Sequence, residues 1–341
     1  MLTLVASVII FGLLIFFHEL GHFLVAKRVG IGVMEFALGF GPRLLHKEIG
    51  ETTYSLRAFP LGGFVRLLGD EQEEIEAENS FQKQAVWKRF LVILAGPLMN
   101  FLLAVILFSL IYFAFLGVPV YSSTTIGELL PGGAAAEVGL QQGDRLKFIA
   151  GEEVTDWHEV VAIIHAHPER ELEIVYERNG KTFTVTVTPE RDAETGEGRI
   201  GIGAETRKFA LLSSLRMGVE HAVWFIKFTV FSLLQMVLGR VAPDVMGPVG
   251  IIGLVGQVAR TGLMNLISLA AIISLNLGTI NLLPIPALDG SRLMFLVLEG
   301  LRGRPVDPQK ESFIHFIGFA FLIVLMIVIA YKDLVRLNIF N

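Results

Sequence analysis

Leu13-Leu14-Ile15-Phe16-Phe17-His18-Glu19-Leu20-Gly21-His22 places two imidazoles and a carboxylate inside an apolar run that extends from Leu2 to about Ala26. About 20 apolar residues suffice to cross a bilayer as a helix. The run has no basic stretch before it and no small-residue cleavage site, so it predicts an uncleaved transmembrane helix rather than a signal peptide. Residues i and i+4 share one face of a helix. His18 and His22 can therefore reach one metal ion, with Glu19 beside it, in the H-E-x-x-H pattern of zinc hydrolases. Ionisable groups at membrane depth are costly and mark function.

The rest of the chain agrees with a membrane protein. Of 341 residues, 53% are hydrophobic, and the mean hydropathy is +0.62. Three further segments predict spans: about Phe90 to Leu116, Leu263 to Leu283 and Phe313 to Ala330. The small net charge of −5 gives no sign of a general affinity for nucleic acid. There is no cysteine, so any metal must be held by His, Asp or Glu. Lys27, Arg28, Arg43, Lys47 and Arg57 lie between spans one and two, and Arg292, Arg302, Arg304 and Lys310 between three and four. Both loops are expected in the cytoplasm. The acidic run from Asp70 to Glu78 reads as a solvated part of the first loop.

Residues 118–206 alternate apolar and polar residues, with Asn179-Gly180 as a hairpin signal, and predict a compact α+β module outside the membrane. Residues 222–238 are apolar enough to suggest a fifth crossing. A crossing there would leave Asp289 on the opposite side from His18 and His22, so an amphipathic helix on the membrane surface is expected instead. The domains are then 1–117, 118–206, 207–262 and 263–341.

Catalytic zinc takes three protein ligands. Asp289, in Asn281-Leu-Leu-Pro-Ile-Pro-Ala-Leu-Asp-Gly290, follows two prolines that break the third span. Irregular backbone at membrane depth requires burial in protein or a watery cavity. Asp289 is thus the candidate third ligand, and a turn or cap residue before Gly290 is the alternative.

HELGH followed by NLLPIPALDG resembles the site-2 protease family of intramembrane metalloproteases, in its bacterial anti-sigma-factor-cleaving branch. Gly39-Phe-Gly-Pro42, Pro60 to Arg66, Ala95-Gly-Pro-Leu-Met-Asn100 and Met246 to Ile251 carry the same likeness. The resemblance implies a polytopic α-helical membrane protein with four transmembrane helices, an inserted extracytoplasmic PDZ-like domain and a membrane-associated β-hairpin. It implies that His18, His22 and Asp289 bind Zn2+ and that Glu19 is the general base. Asn281 would hold the substrate backbone or stabilise the oxyanion; an interhelical hydrogen bond is its other reading. Gly62, Gly63, Phe64, Val65 and Arg66 would pair with an unwound substrate, unless they form a plain loop. Gly139 to Arg145 is the most PDZ-like stretch. Larger members carry two PDZ domains, and this chain has room for one.

The partners so implied are single-span membrane proteins, including anti-sigma-factor-like chains or remnant signal peptides, together with membrane lipid and a peptide C-terminus at the PDZ-like domain. The location implied is the bacterial cytoplasmic (inner) membrane. Gly198 to Ile202 reads either as the carboxylate-binding loop of that domain or as a closing strand. His158, His165 and His167 read as surface residues, and His46, His221 and His315 show no partner in the sequence. A metal transporter or a non-catalytic scaffold are the rival functions. Neither explains Glu19 inside H-E-x-x-H.

Overall fold

The computed structural model describes residues 1–70, 77–192, 195–241 and 246–336. Most of the acidic run after Asp70 lies outside them. The chain divides into one unit made of Met1–Ile111 and Leu211–Asn341 and a second made of Tyr112–Ala210.

In the first unit, α1 (Leu2–Val29) stops at Gly30, whose φ of 83° suits the left-handed cap and whose N–H bonds back to the last turn. Two long strands follow, β1 (Val33–Ile49) and β2 (Thr52–Leu67). Their register folds them into a layered sheet. Residues 35–38 pair with 63–66 on one side and with 53–56 on the other, and 43–49 fold back onto 52–57. The stretch 63–66 therefore forms an edge, with no further strand beyond it among the described residues. Glu35 lies in the sheet, 1% exposed. Arg43 Nη2 donates to it at 2.7 Å, Arg57 Nη2 at 2.8 Å and Ser55 Oγ at 2.6 Å. Burial pushes this carboxyl up, but these hydrogen bonds outweigh it and bring the pKa down to about 2.

Helix α2 (Val86–Leu110) packs against α1. Apolar surface drives little association between helices in lipid, so close backbone approach through small residues does much of the work. A Cβ on Gly21 of α1 would fall 2.3 Å from the Ala95 carbonyl oxygen of α2.

The described residues of the second unit include the helices α3 (Ala134–Glu137) and α4 (Trp157–Ala166). Its four-stranded antiparallel sheet has the order Glu152–Glu153, Arg145–Ile149, Leu172–Arg178, Lys181–Val187. Asn179 and Gly180 turn between the last two with positive φ, as a two-residue hairpin loop requires. Asp156 caps α4 by accepting from Glu159 N at 3.0 Å. Leu146, Ile149, Val160 and Ile174 form its core.

Back in the first unit come α5 (Leu211–Val237), α6 (Pro248–Val258), α7 (Leu263–Asn281), α8 (Asp289–Arg302) and α9 (Pro308–Arg336). Residues 222–238 belong mostly to α5, which lies along α2 and α7. A Cβ on Gly218 would fall 2.2 Å from Ser109 Oγ, and Thr229 Oγ1 donates to Asn276 Oδ1 at 3.3 Å. Among the described residues, five helices are long and apolar enough to cross a membrane: Leu2–Val29, Val86–Phe115, Leu211–Met236, Leu263–Asn281 and Gln309–Val335. The expectation of four crossings left the third of these on the surface.

Candidate active site

His18 and His22 project from one face of α1, their rings edge to face with centroids 4.9 Å apart and their Nε2 atoms 3.3 Å apart. Asp289, the first residue of α8, brings Oδ2 to 3.2 Å from His18 Nε2 and 3.5 Å from His22 Nε2. One ligand atom from each of the three residues lies within 4.8 Å of the others, the only such group of three among the described residues.

The donor set fits zinc. His22 Nδ1 donates to the Val92 carbonyl at 2.8 Å, which leaves the Nε2 lone pair free to ligate. Asp289 Oδ2 is buried without a well-formed hydrogen bond of its own. Two His and a carboxylate converging on one point match the protein ligands of a catalytic zinc set.

Glycines make this convergence possible. A Cβ on Gly96 of α2 would sit 2.2 Å from His22 Nε2, so only glycine lets α2 back onto the imidazoles. A Cβ on Gly290 would meet the Leu283 carbonyl oxygen at 2.2 Å. The Leu-Asp-Gly sequence thus lets α8 start directly beneath the broken end of α7. Between them, Ala287 takes a φ of 75°, and its N–H donates to His315 Nδ1 of α9 at 3.1 Å. A Cβ on Gly318 would fall 2.2 Å from Pro286 Cβ. Helix α9 therefore braces the loop that presents Asp289.

Glu19 is half-buried on the same helix as the histidines. A Cβ on Gly63 would lie 3.2 Å from its Cγ. The edge 63–66 of the sheet thus runs beside the carboxylate. Gly62 has a φ of 123°, and a Cβ there would collide with the Phe40 ring at 1.9 Å. Phe64 stacks on Phe40, under the Arg57 guanidinium at 4.9 Å. Arg66 pairs with Glu35 at 3.6 Å. Asn281 ends α7 half-buried, and its side chain makes no hydrogen bond among the described residues.

Sequence reasoning gave no role to Asn100, Glu35 or His315. Asn100 is fully buried, with Nδ2 3.1 Å from His18 Nδ1. Its signal was a lone amide in an apolar helix. His315 carried no signal at all, because its partner is the backbone of a distant loop. In the second unit, His158 stacks on Tyr121, His165 pairs with Glu197 at 3.1 Å, and His167 bonds to the Ile163 carbonyl. Gly198–Arg199 and Ile202–Ala204 form short strands and border a groove of about 470 Å3 beside α4, with Val160, Ile164 and Ile200 in its wall.

The sequence profile of peptidase family M50 matches residues 6–325. The zinc metalloprotease RasP of Geobacillus kaustophilus is 37% identical over 413 aligned positions, covering 97% of each chain. The regulator of sigma-W protease RasP of Bacillus subtilis is 35% identical over 419 positions, covering 98% of this chain and 99% of its own. Both alignments exceed the 341 residues here, so both relatives carry a stretch with no counterpart in this chain. The PDZ domain of an SdrC-like protein of Listeria monocytogenes aligns with 24% of this chain and 87% of its own, at 23% identity and a TM-score of 0.22. With a family match over nearly its whole length, and two histidines and an aspartate converging among apolar helices, the chain belongs to peptidase family M50, the site-2 proteases, and is a membrane zinc metalloprotease.

Proposed function

We propose that this protease hydrolyses peptide bonds within or beside the transmembrane segments of single-span membrane proteins in a bacterial cytoplasmic membrane. Anti-sigma-factor-like chains and remnant signal peptides are the substrate classes. One observation carries the reading: the triad of His18, His22 and Asp289 meets inside apolar helices, with Glu19 beside a free strand edge. The Bacillus subtilis relative's name, a regulator of sigma-W protease, supports the first substrate class.

His18, His22 and Asp289 would hold the zinc ion, which when bound supplies a Lewis acid for the scissile carbonyl and lowers the pKa of water to about 7. Glu19 takes the proton of the attacking water and delivers it to the leaving nitrogen. The substrate must arrive extended, because a transmembrane helix hides its carbonyls in its own hydrogen bonds. The edge from Gly62 to Arg66 replaces those bonds by adding the substrate as a strand. The free amide of Asn281 holds the substrate backbone or the developing oxyanion. The 118–206 module, PDZ-like and outside the membrane, meets the substrate's outer portion.

The test uses purified full-length protein in detergent with a single-span substrate. Glu19→Gln is expected to keep its zinc and to lose roughly 10²–10⁴-fold in turnover. Near-normal turnover would sink the mechanism. Cleavage that survives complete zinc chelation would sink the metal's part in it.

A further inference from the structure

The two histidines are prepared for a metal in different ways. An imidazole that ligates through Nε2 carries its proton on Nδ1 and needs an acceptor for it. For His22 that acceptor is fixed, because the Val92 carbonyl can only accept. For His18 the neighbour of Nδ1 is the side-chain amide of Asn100, whose Nδ2 lies at 3.1 Å. An amide nitrogen only donates. In this arrangement His18 Nδ1 accepts, and the ring proton sits on Nε2, 3.2 Å from Asp289 Oδ2. The other end of the amide, Asn100 Oδ1, is buried with no partner.

A half-turn of the amide exchanges Oδ1 and Nδ2 without changing the shape of the side chain. It gives a protonated Nδ1 its acceptor and frees the Nε2 lone pair. His18 stays neutral, since the proton given up at Nε2 is replaced by one at Nδ1. The backbone is pinned during the turn: the Asn100 carbonyl accepts from Ser274 Oγ of α7 at 2.8 Å, and both residues are fully buried.

We propose that Asn100 is a positioning residue whose amide selects the tautomer of His18, turning Oδ1 toward Nδ1 when Nε2 ligates the metal. Asparagine suits the position because one side chain serves both tautomers. The proposal rests on the metalloprotease reading and extends it to a residue that touches neither metal nor substrate.

Full-length Asn100→Asp and Asn100→Leu proteins, purified in detergent, are compared with wild type by zinc competition against a chromophoric chelator. Asn100→Leu removes the acceptor and is expected to weaken zinc binding about 10–100-fold. Asn100→Asp keeps an acceptor in the same shape and is expected to bind zinc at least as tightly as wild type. Weaker binding by Asn100→Asp would mean that the donor matters, as in a plain interhelical hydrogen bond, and overturns the proposal. Wild-type affinity in Asn100→Leu also overturns it. Should Asn100→Leu fail to fold, Asn100→Asp decides alone, together with the ring-nitrogen NMR shifts of 15N-histidine-labelled, zinc-loaded wild type. There the His18 signals must report a protonated Nδ1. Asp289→Ala serves as the control for the site itself. If it keeps stoichiometric zinc, the metal centre is wrong; if it loses zinc while the Asn100 variants do not move, only the role of Asn100 fails.

Discussion

Glu35 shows how one side chain can govern an element it lies inside. Its carboxylate sits between Arg43, Arg57 and Ser55, and Arg66 lies within 3.6 Å. Its pKa of about 2 lies below the ordinary 4.5 for a glutamate. The folded sheet therefore holds its proton more weakly than the unfolded chain does. The resulting stability is fully present above about pH 4.5 and is lost as the pH falls toward 2. A drop of this size corresponds to roughly 3 kcal/mol. Glu35→Gln is expected to leave three guanidiniums without their shared anion, to destabilise the sheet by about 3–5 kcal/mol, and to flatten its acid sensitivity. Limited proteolysis of β1 and β2 between pH 6 and 3 reads both effects. An equal pH dependence in wild type and variant would show that Glu35 is not the titrating group. At this same scale the sequence offered HELGH and Leu-Asp-Gly directly, because the spacing of ligands along one helix is a local property. The brace from His315 to Ala287 was invisible, because it joins a side chain to the backbone of another element.

At the scale of elements, the sheet edge and the long helices each carry a prediction. Val65 lies on the 63–66 edge and carries one of its backbone donors. A substrate strand added at this edge would take up such donors. Val65→Pro removes that donor, and is expected to lower kcat/KM at least about tenfold while zinc content and thermal stability stay near wild type. Unchanged kcat and KM in the variant would end the strand-pairing role. The membrane arrangement is tested by single cysteines, which are clean in a chain with no native cysteine. An impermeant reagent outside the cell is expected to label Thr155→Cys and to spare Glu78→Cys. The reverse pattern would invert the topology. Helix α5 was the hard element to read: its composition fits both a surface helix and a crossing. Its packing on Ser109 and Asn276 comes from residues more than 40 positions away.

For the whole molecule, the question is what the second unit, Tyr112–Ala210, does to substrate choice. In the topology proposed above, where it lies outside the membrane between α2 and α5 in the chain, it would act as a sieve against bulky ectodomains or as a clamp for a newly made C-terminus. Of these two, we propose the sieve as the main role of the module. The groove beside α4 gives capture a physical basis as well. Replacing residues 122–206 with a short Gly/Ser linker separates the two. A sieve predicts that a long-ectodomain substrate is cut at least several-fold faster, while its trimmed form changes little. If the trimmed form slows instead and the long form stays uncut, the unit is a clamp.

The sequence by itself pointed to His18, His22 and Asp289, which the fold brings together, to Glu19 on the same helix, to the broken span before Asp289 and to a separate 118–206 module. Each is written in a short window: i and i+4 on one helix, two prolines before an aspartate, a period of two around Asn179-Gly180. Only the tertiary structure decided that Gly96 is the floor beneath the imidazoles, that 63–66 rather than 43–49 is the strand edge beside Glu19, and that His22 and His18 have different partners at Nδ1. These are contacts between residues far apart in the chain. Their sign depends on distances of a few tenths of an ångström and on which end of an amide or ring faces its neighbour, and no spacing along the sequence encodes that.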